Sequence, residues 1–273
     1  MDFDIIGVKN SILGEGPIWC AQENCLYYLD IMGRKLHRVE WKTKEVRTKE
    51  LPQMTGCIAF TKNCELIYAM ENGIYNERFE LLHKERRIEG IRFNDGKVAP
   101  NGIFYVGTIK KEGGGKLYRL NNHSLEVVLE DVRISNGMDW SMDEQTMYYC
   151  DTATQKVVSY DFPAMKKKTT VIEIPKSMGS PDGMCIDYEG LLWIALWGGG
   201  SVIRVNPSNG RIVHKIDLPV SKVSCPAFAG ENLDELVITS ASVDTDLKKE
   251  PLAGCTFVLK VNTKGRRPYV CTI

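Results

Sequence analysis

The sequence is poor in the features that mark many catalytic and binding classes. Only four histidines occur in 273 residues, at 37, 83, 123 and 214, and all fall in segments expected to be outer strands or loops. That placement argues against a histidine-based zinc site and against a Ser-His-Asp triad; His37 and His214 read as surface strand residues. No Cys-x-x-Cys pair exists among the nine cysteines, which excludes a zinc knuckle and a thioredoxin-like motif. The thiols are expected to be reduced, several of them buried as small hydrophobes, in a cytoplasmic protein. Net charge is absent too, with 35 Lys plus Arg against 35 Asp plus Glu and no basic run beyond Lys166-Lys167-Lys168. Such a balance leaves no electrostatic footprint for nucleic acid or an anionic membrane face. No apolar run approaches the roughly 18 residues that suggest a membrane span, and Met1-Asp2-Phe3-Asp4 lacks the cationic and apolar regions of a signal peptide. Gly198-Gly199-Gly200 leads into another strand-like run, not a helix, so it is no phosphate loop.

What the chain does contain is enough apolar residue for a sizeable core, 43% against 26% charged, and a repeat. Six segments share one layout, in which an apolar stretch meets a polar turn and a second strand-like run follows, as in Gly16-Pro17-Ile18-Trp19 with Leu26-Tyr27-Tyr28-Leu29-Asp30. Anchored on residues 18, 58, 98, 138, 184 and 227, the steps are 40, 40, 40, 46 and 43. A period of this size built from short strands is what a four-stranded propeller blade requires; a two-sheet sandwich predicts no constant spacing. The expectation is an all-β chain whose residues 1–273 form a single six-bladed β-propeller domain, with 160–168 left as loop. An open ring would expose a strand edge, so one terminus must complete a blade with the other. The candidates are 3–8, 256–261 and 269–273, and the spacing does not choose among them.

In a propeller the first strand of each blade lines the central channel, which puts a polar residue just before each anchor near one mouth. Those positions hold Glu15, Thr55, Asn94, Asn136, Asp182 and Ser224. Converging carboxylates and amide carbonyls are hard oxygen donors suited to a divalent cation. Without one, Glu15 and Asp182 would repel and one pKa would rise. The competing reading makes them strand-end turn residues set by Gly14, Gly16, Gly96, Gly137 and Gly183. The densest polar stretch is Arg92-Phe93-Asn94-Asp95-Gly96-Lys97. In it Asn94 is expected to face the channel, while Asp95, Gly96 and Lys97 read as the turn and strand entry that aim it.

Four segments, Leu13 to Trp19, Arg92 to Lys97, Ser135 to Ser141 and Ser180 to Asp187, resemble the hallmark segments of the SMP-30/gluconolactonase/luciferin-regenerating-enzyme family, and 226–240 resembles its last blade. The likeness runs in order from about residue 13 to 262. It implies a propeller with one divalent metal, Ca, Zn, Mn or Mg, held by Glu15, Asn136 and Asp182. It also implies substrate contacts from Arg92, Asn94 and Glu112, and a general base at Asp182. Regucalcin-like members carry a longer loop where this chain has only 109–116, so a more open mouth is expected and Glu112 is the least securely matched position.

The activity implied is hydrolysis of a sugar lactone to the aldonic acid, with the metal as Lewis acid and Asp182 or a metal-bound hydroxide activating water. Alternatives are a calcium-binding regulatory propeller without turnover, an interaction propeller with a purely structural channel, and an esterase or phosphotriesterase on the same site. The expected partner is a small-molecule lactone, with no nucleic acid and no membrane; nothing in the sequence speaks to oligomeric state.

Overall fold

The computed structural model describes residues 3–84, 91–121 and 124–272 and contains six antiparallel sheets of four strands. In blade 1 the strands run in chain order from the centre outward: Gly14–Cys20, Cys25–Asp30, Lys35–Glu40 and Val46–Glu50. The innermost strands of blades 2 to 6 are Thr55–Phe60, Arg92–Val98, Ser135–Trp140, Ser180–Ile186 and Val223–Ala229. Each packs against the next, and that of blade 6 against that of blade 1, so the sheets close into a six-bladed β-propeller. Blade 6 settles which terminus closes the ring. Its outermost strand is the N-terminal Asp4–Ile6, paired with Thr256–Lys260 through Asp4↔Val258, Ile5↔Phe257 and Ile6↔Thr256. Residues 160–168 contain no helix, and no helix among the described residues is long and apolar enough to cross a membrane.

The core is distributed in the wedges between blades, which explains why the second strands read as unbroken apolar runs. Each is buried on both faces. In blade 1, Leu26 and Tyr28 pack toward blade 6 while Tyr27 and Leu29 pack toward blade 2. In blade 2, Leu66, Tyr68 and Met70 face back to blade 1, and Ile67 and Ala69 face on to blade 3.

Past Lys260 the chain crosses the face where the inner strands end. Along this strap Gly265 N donates to the Leu233 carbonyl of blade 6 (2.7 Å), and the Lys264 carbonyl accepts from Tyr188 N of blade 5 (2.8 Å). Arg266 Nη1 donates to the Trp140 carbonyl of blade 4 (3.2 Å). Thr272 N reaches the Gly102 carbonyl of blade 3 (3.0 Å) and Cys271 N the Phe60 carbonyl of blade 2 (2.6 Å). Five blades are thus tied by one segment.

Candidate functional site

All six inner strands lose register near their start, where the polar residues lie. In blades 3 to 6 two residues oppose one. Asn94 and Asp95 lie between the pairs Phe93↔Thr108 and Gly96↔Val106, and Asn136 and Gly137 between Ser135↔Asp151 and Met138↔Tyr149. Asp182 with Gly183, and Ser224 with Cys225, occupy the same places in blades 5 and 6. In blades 1 and 2 Glu15 and Thr55 are the last paired residues before the shift. A bulge bends its strand and re-aims a side chain. Gly56 and Gly137 serve close approach: a Cβ on Gly137 would stand 2.6 Å from the Asp182 carbonyl oxygen, and one on Gly56 2.4 Å from that of Phe93, whereas Gly16 has a left-handed φ of +55°. Two strand-ending aspartates pin the incoming chain. Asp30 accepts from Ile12 N and Leu13 N ahead of Glu15, and Asp151 from Arg133 N and Ile134 N ahead of Asn136.

Glu15, Asn94, Asn136 and Asp182 are all buried. Burial pushes the Glu15 carboxyl well above its usual range, and the charges of Asp95 and Asp182 push it further, against the Gly16 N–H and Arg92. Burial and Asp95 do the same to Asp182. Asp95 itself is raised by burial to about 7, opposed by Lys97 and Arg92. Arg92 is thus the guanidinium common to three mutually repelling carboxylates, with Lys97 acting on Asp95 as well. The Asn136 carboxamide is held by Nδ2 donating to Thr152 Oγ1 (3.0 Å), whose hydroxyl donates to the Pro181 carbonyl (2.8 Å). That leaves Asn136 Oδ1 buried without a partner. An orphaned carbonyl oxygen among mutually repelling carboxylates fits a hard divalent cation.

Two expectations about Arg92 to Lys97 need correction. Asp95 is not a turn residue: one carboxylate oxygen of Glu15, one of Asp95 and the Cys225 sulfur all lie within 4.8 Å of one another. Lys97 is not a strand-entry residue either. Its ammonium lies deeper in the channel, donating to Asp139 Oδ2 and to the Met184 carbonyl, both at 2.9 Å. Asp139 Oδ1 accepts from Arg266 Nη2 (2.5 Å) and Trp140 N (2.8 Å), and Oδ2 also from Ile186 N (3.1 Å). Burial alone would raise Asp139, yet Lys97 and Arg266 hold it below its usual value. Around this lower group, above the strap, lies a space of about 100 Å³ lined by residues that include Cys57, Cys185, Cys225 and Tyr269.

Arg92 Nη1 donates to its neighbour Phe93's carbonyl (2.8 Å) and to Asn94 Oδ1 (2.7 Å), and Asn94 Nδ2 donates to the Ser135 carbonyl of the next blade (2.7 Å). Both ends of the Asn94 carboxamide are thus engaged within the protein. Glu112 is exposed, in a tight connection where Gly113 N donates to the Lys110 carbonyl (2.8 Å), and it is not drawn into this cluster of hydrogen bonds. Sequence reasoning missed Asp95, Thr152 and the group around Asp139. It also misplaced His37, which is buried at 1% exposure, with Nδ1 2.9 Å from Thr48 Oγ1 and its ring 4.8 Å from that of Tyr28. His83 and His214 do sit in outermost strands, and His123 lies outside the described residues.

Comparison with known proteins places these features in a lineage. Residues 13–242 match the SMP-30/Gluconolactonase/LRE-like region, so the whole strap lies beyond the matched span. Regucalcin of Danio rerio is 34% identical over 292 residues, covering 98% of this chain and 97% of its own. A 6-deoxy-6-sulfogluconolactonase of Pseudomonas putida is 35% identical over 274 residues, covering 93% of each. The crystal structure of a calcium-binding protein, regucalcin, from Agrobacterium tumefaciens superposes with a TM-score of 0.93 at 25% identity, covering 100% of this chain and 98% of that one. The chain therefore belongs to the SMP-30/gluconolactonase/LRE-like family.

Proposed function

We propose that the protein is a metal-dependent lactonase that opens sugar lactones, with Glu15, Asn136 and Asp182 as the protein ligands of one divalent ion. The observation that carries this reading is the mutual repulsion of the buried Glu15, Asp95 and Asp182 carboxyls, together with an Asn136 Oδ1 that is buried without a partner. A bound divalent ion supplies Lewis acidity toward the ester carbonyl and positive charge for the oxyanion that develops there. Asp182 accepts a proton from the attacking water. The acyl C–O bond then breaks, and the ring oxygen leaves protonated as the hydroxyl of the product acid. Arg92 grips substrate oxygens, and Asn94, with both ends tied, holds Arg92 in position. Alignment of this kind removes a large part of a barrier. The chemistry of the three ligands admits Ca²⁺, Mg²⁺, Mn²⁺ or Zn²⁺.

The test compares wild type with Asp182→Ala on a panel of aldonolactones, aryl esters and phosphotriesters at saturating concentrations of each ion. Lactone turnover in wild type and its loss in the variant are expected. Equal rates, or no turnover by either, overturn the proposal. The calcium-binding relative from Agrobacterium tumefaciens favours one second reading, a Ca²⁺-binding propeller without turnover. Calorimetry showing tight Ca²⁺ binding beside an inactive panel selects it.

A further inference from the structure

We propose that Cys20 and Cys64 form a reversible disulfide that clips blade 1 to blade 2, with a peroxide as the oxidant. Cys20 ends the inner strand of blade 1, and Cys64 sits in the turn between the first two strands of blade 2. The residues are 44 apart in sequence, yet their sulfurs are 3.6 Å apart. A disulfide is about 2.0 Å long, so the two sulfurs have to approach each other by about 1.6 Å. The S–H of Cys20 points at the Cys64 sulfur, while the S–H of Cys64 is given to Gln22 Oε1 at 2.8 Å. Exposure is divided as an attacking and resolving pair requires. Cys20 is buried among apolar side chains and Cys64 is half-buried, within reach of a small oxidant.

In the reaction the Cys64 sulfur, as thiolate, attacks one peroxide oxygen, and the O–O bond breaks. Hydroxide leaves and takes up the thiol proton as water, and Cys64 becomes a sulfenic acid. The Cys20 sulfur then attacks the Cys64 sulfur, the S–O bond breaks, and the hydroxyl departs as water with the Cys20 proton. Two thiols and one peroxide give one disulfide and two waters. Burial, with the neighbouring Cys20 sulfur, pushes the Cys64 thiol up to about 11. The first step is accordingly slow at neutral pH and speeds up as pH rises.

The clip lies on the strap face. Cys271 N binds the Phe60 carbonyl there, and Val270 packs against the apolar cluster that contains Cys20. The polar mouth is at the other end of the channel. Oxidation should therefore raise the melting temperature by several degrees and leave lactone turnover unchanged.

To test this, the pre-reduced full chain is treated with hydrogen peroxide, alkylated, and cleaved after glutamate and after lysine without reduction, because Glu23 separates Cys20 from Cys25 and Lys62 separates Cys57 from Cys64. Expected is a Cys20–Cys64 linked peptide two hydrogens lighter than the free pair, reversed by dithiothreitol, forming faster at pH 9 than at pH 7. Cys64→Ser should lose both the link and the rise in melting temperature. It serves as the main variant because Cys20→Ser, at a buried site, can fail to fold. Cys64 driven to sulfinic or sulfonic acid beside a reduced Cys20, a link to any other cysteine, or no reaction would each overturn the proposal.

Discussion

The two storeys of one channel handle charge in opposite ways. At the mouth, Glu15, Asp95 and Asp182 share one guanidinium, Arg92, with Lys97 acting on Asp95 as well, and each carboxyl is still raised. Deeper in, Asp139 faces both Lys97 and Arg266, accepts two backbone N–H groups as well, and is lowered. Both are surrounded by the same six inner strands, so burial alone does not separate them. The difference is compensation. A buried charge whose partners are all present is architecture, and buried charges lacking theirs mark a place kept ready for something brought in from outside.

The sharpest way to break that contrast is to remove one carboxylate from each storey. Asp182→Asn should cut kcat/KM on a lactone by about 10²–10³-fold and abolish the rise in melting temperature on adding divalent ions. The same change should raise the melting temperature of the metal-free protein, since it relieves repulsion. Asp139→Asn should do the reverse, costing about 3–5 kcal/mol of stability with or without metal, because Lys97 and Arg266 are left facing each other. Denaturant unfolding in chelator and in excess ion measures both. If the two variants behave alike, the contrast fails.

A smaller effect concerns His37, which lacks a second hydrogen bond: its Nε2 has no partner. Burial pulls its pKa from 6.5 down to about 4, against the pull of Asp30. The unfolded chain then binds a proton that the folded protein refuses, so stability falls as pH drops from 6.5 toward 4. The full loss is at most about 3 kcal/mol and is absent above that window. His37→Phe should flatten this part of the stability profile, as read by urea unfolding at successive pH values. The smallest effect expected is at Thr152. Thr152→Val frees the Asn136 carboxamide to turn, and metal affinity by calorimetry should fall about 10–100-fold. Thr152→Ser should restore it, and an unchanged affinity in the valine variant would show that Asn136 is not held for a ligand.

The blades were legible because the period is carried by strands buried on both faces, whose apolar runs stand out without alignment. Glu15, Asn94, Asn136 and Asp182 were legible as a level of the ring because each stands just before its anchor. Asp95 was not. Strand alternation sends consecutive residues to opposite faces, and only the bulge between Phe93 and Gly96 turns both Asn94 and Asp95 away from that rule. His37 deceived because a third strand in a propeller still has a face in a wedge, here against Tyr28. Ring closure by three N-terminal residues and the course of 261–272 follow no repeat, so periodicity could not reach them.

The strap also governs traffic. Residues 264–272 are drawn across five blades on the far face, and the polar mouth is the end this segment does not cross. Under the proposed lactonase function, each opened acid would depart by the end at which the next ring arrives, so product and incoming substrate would contend for the same threshold.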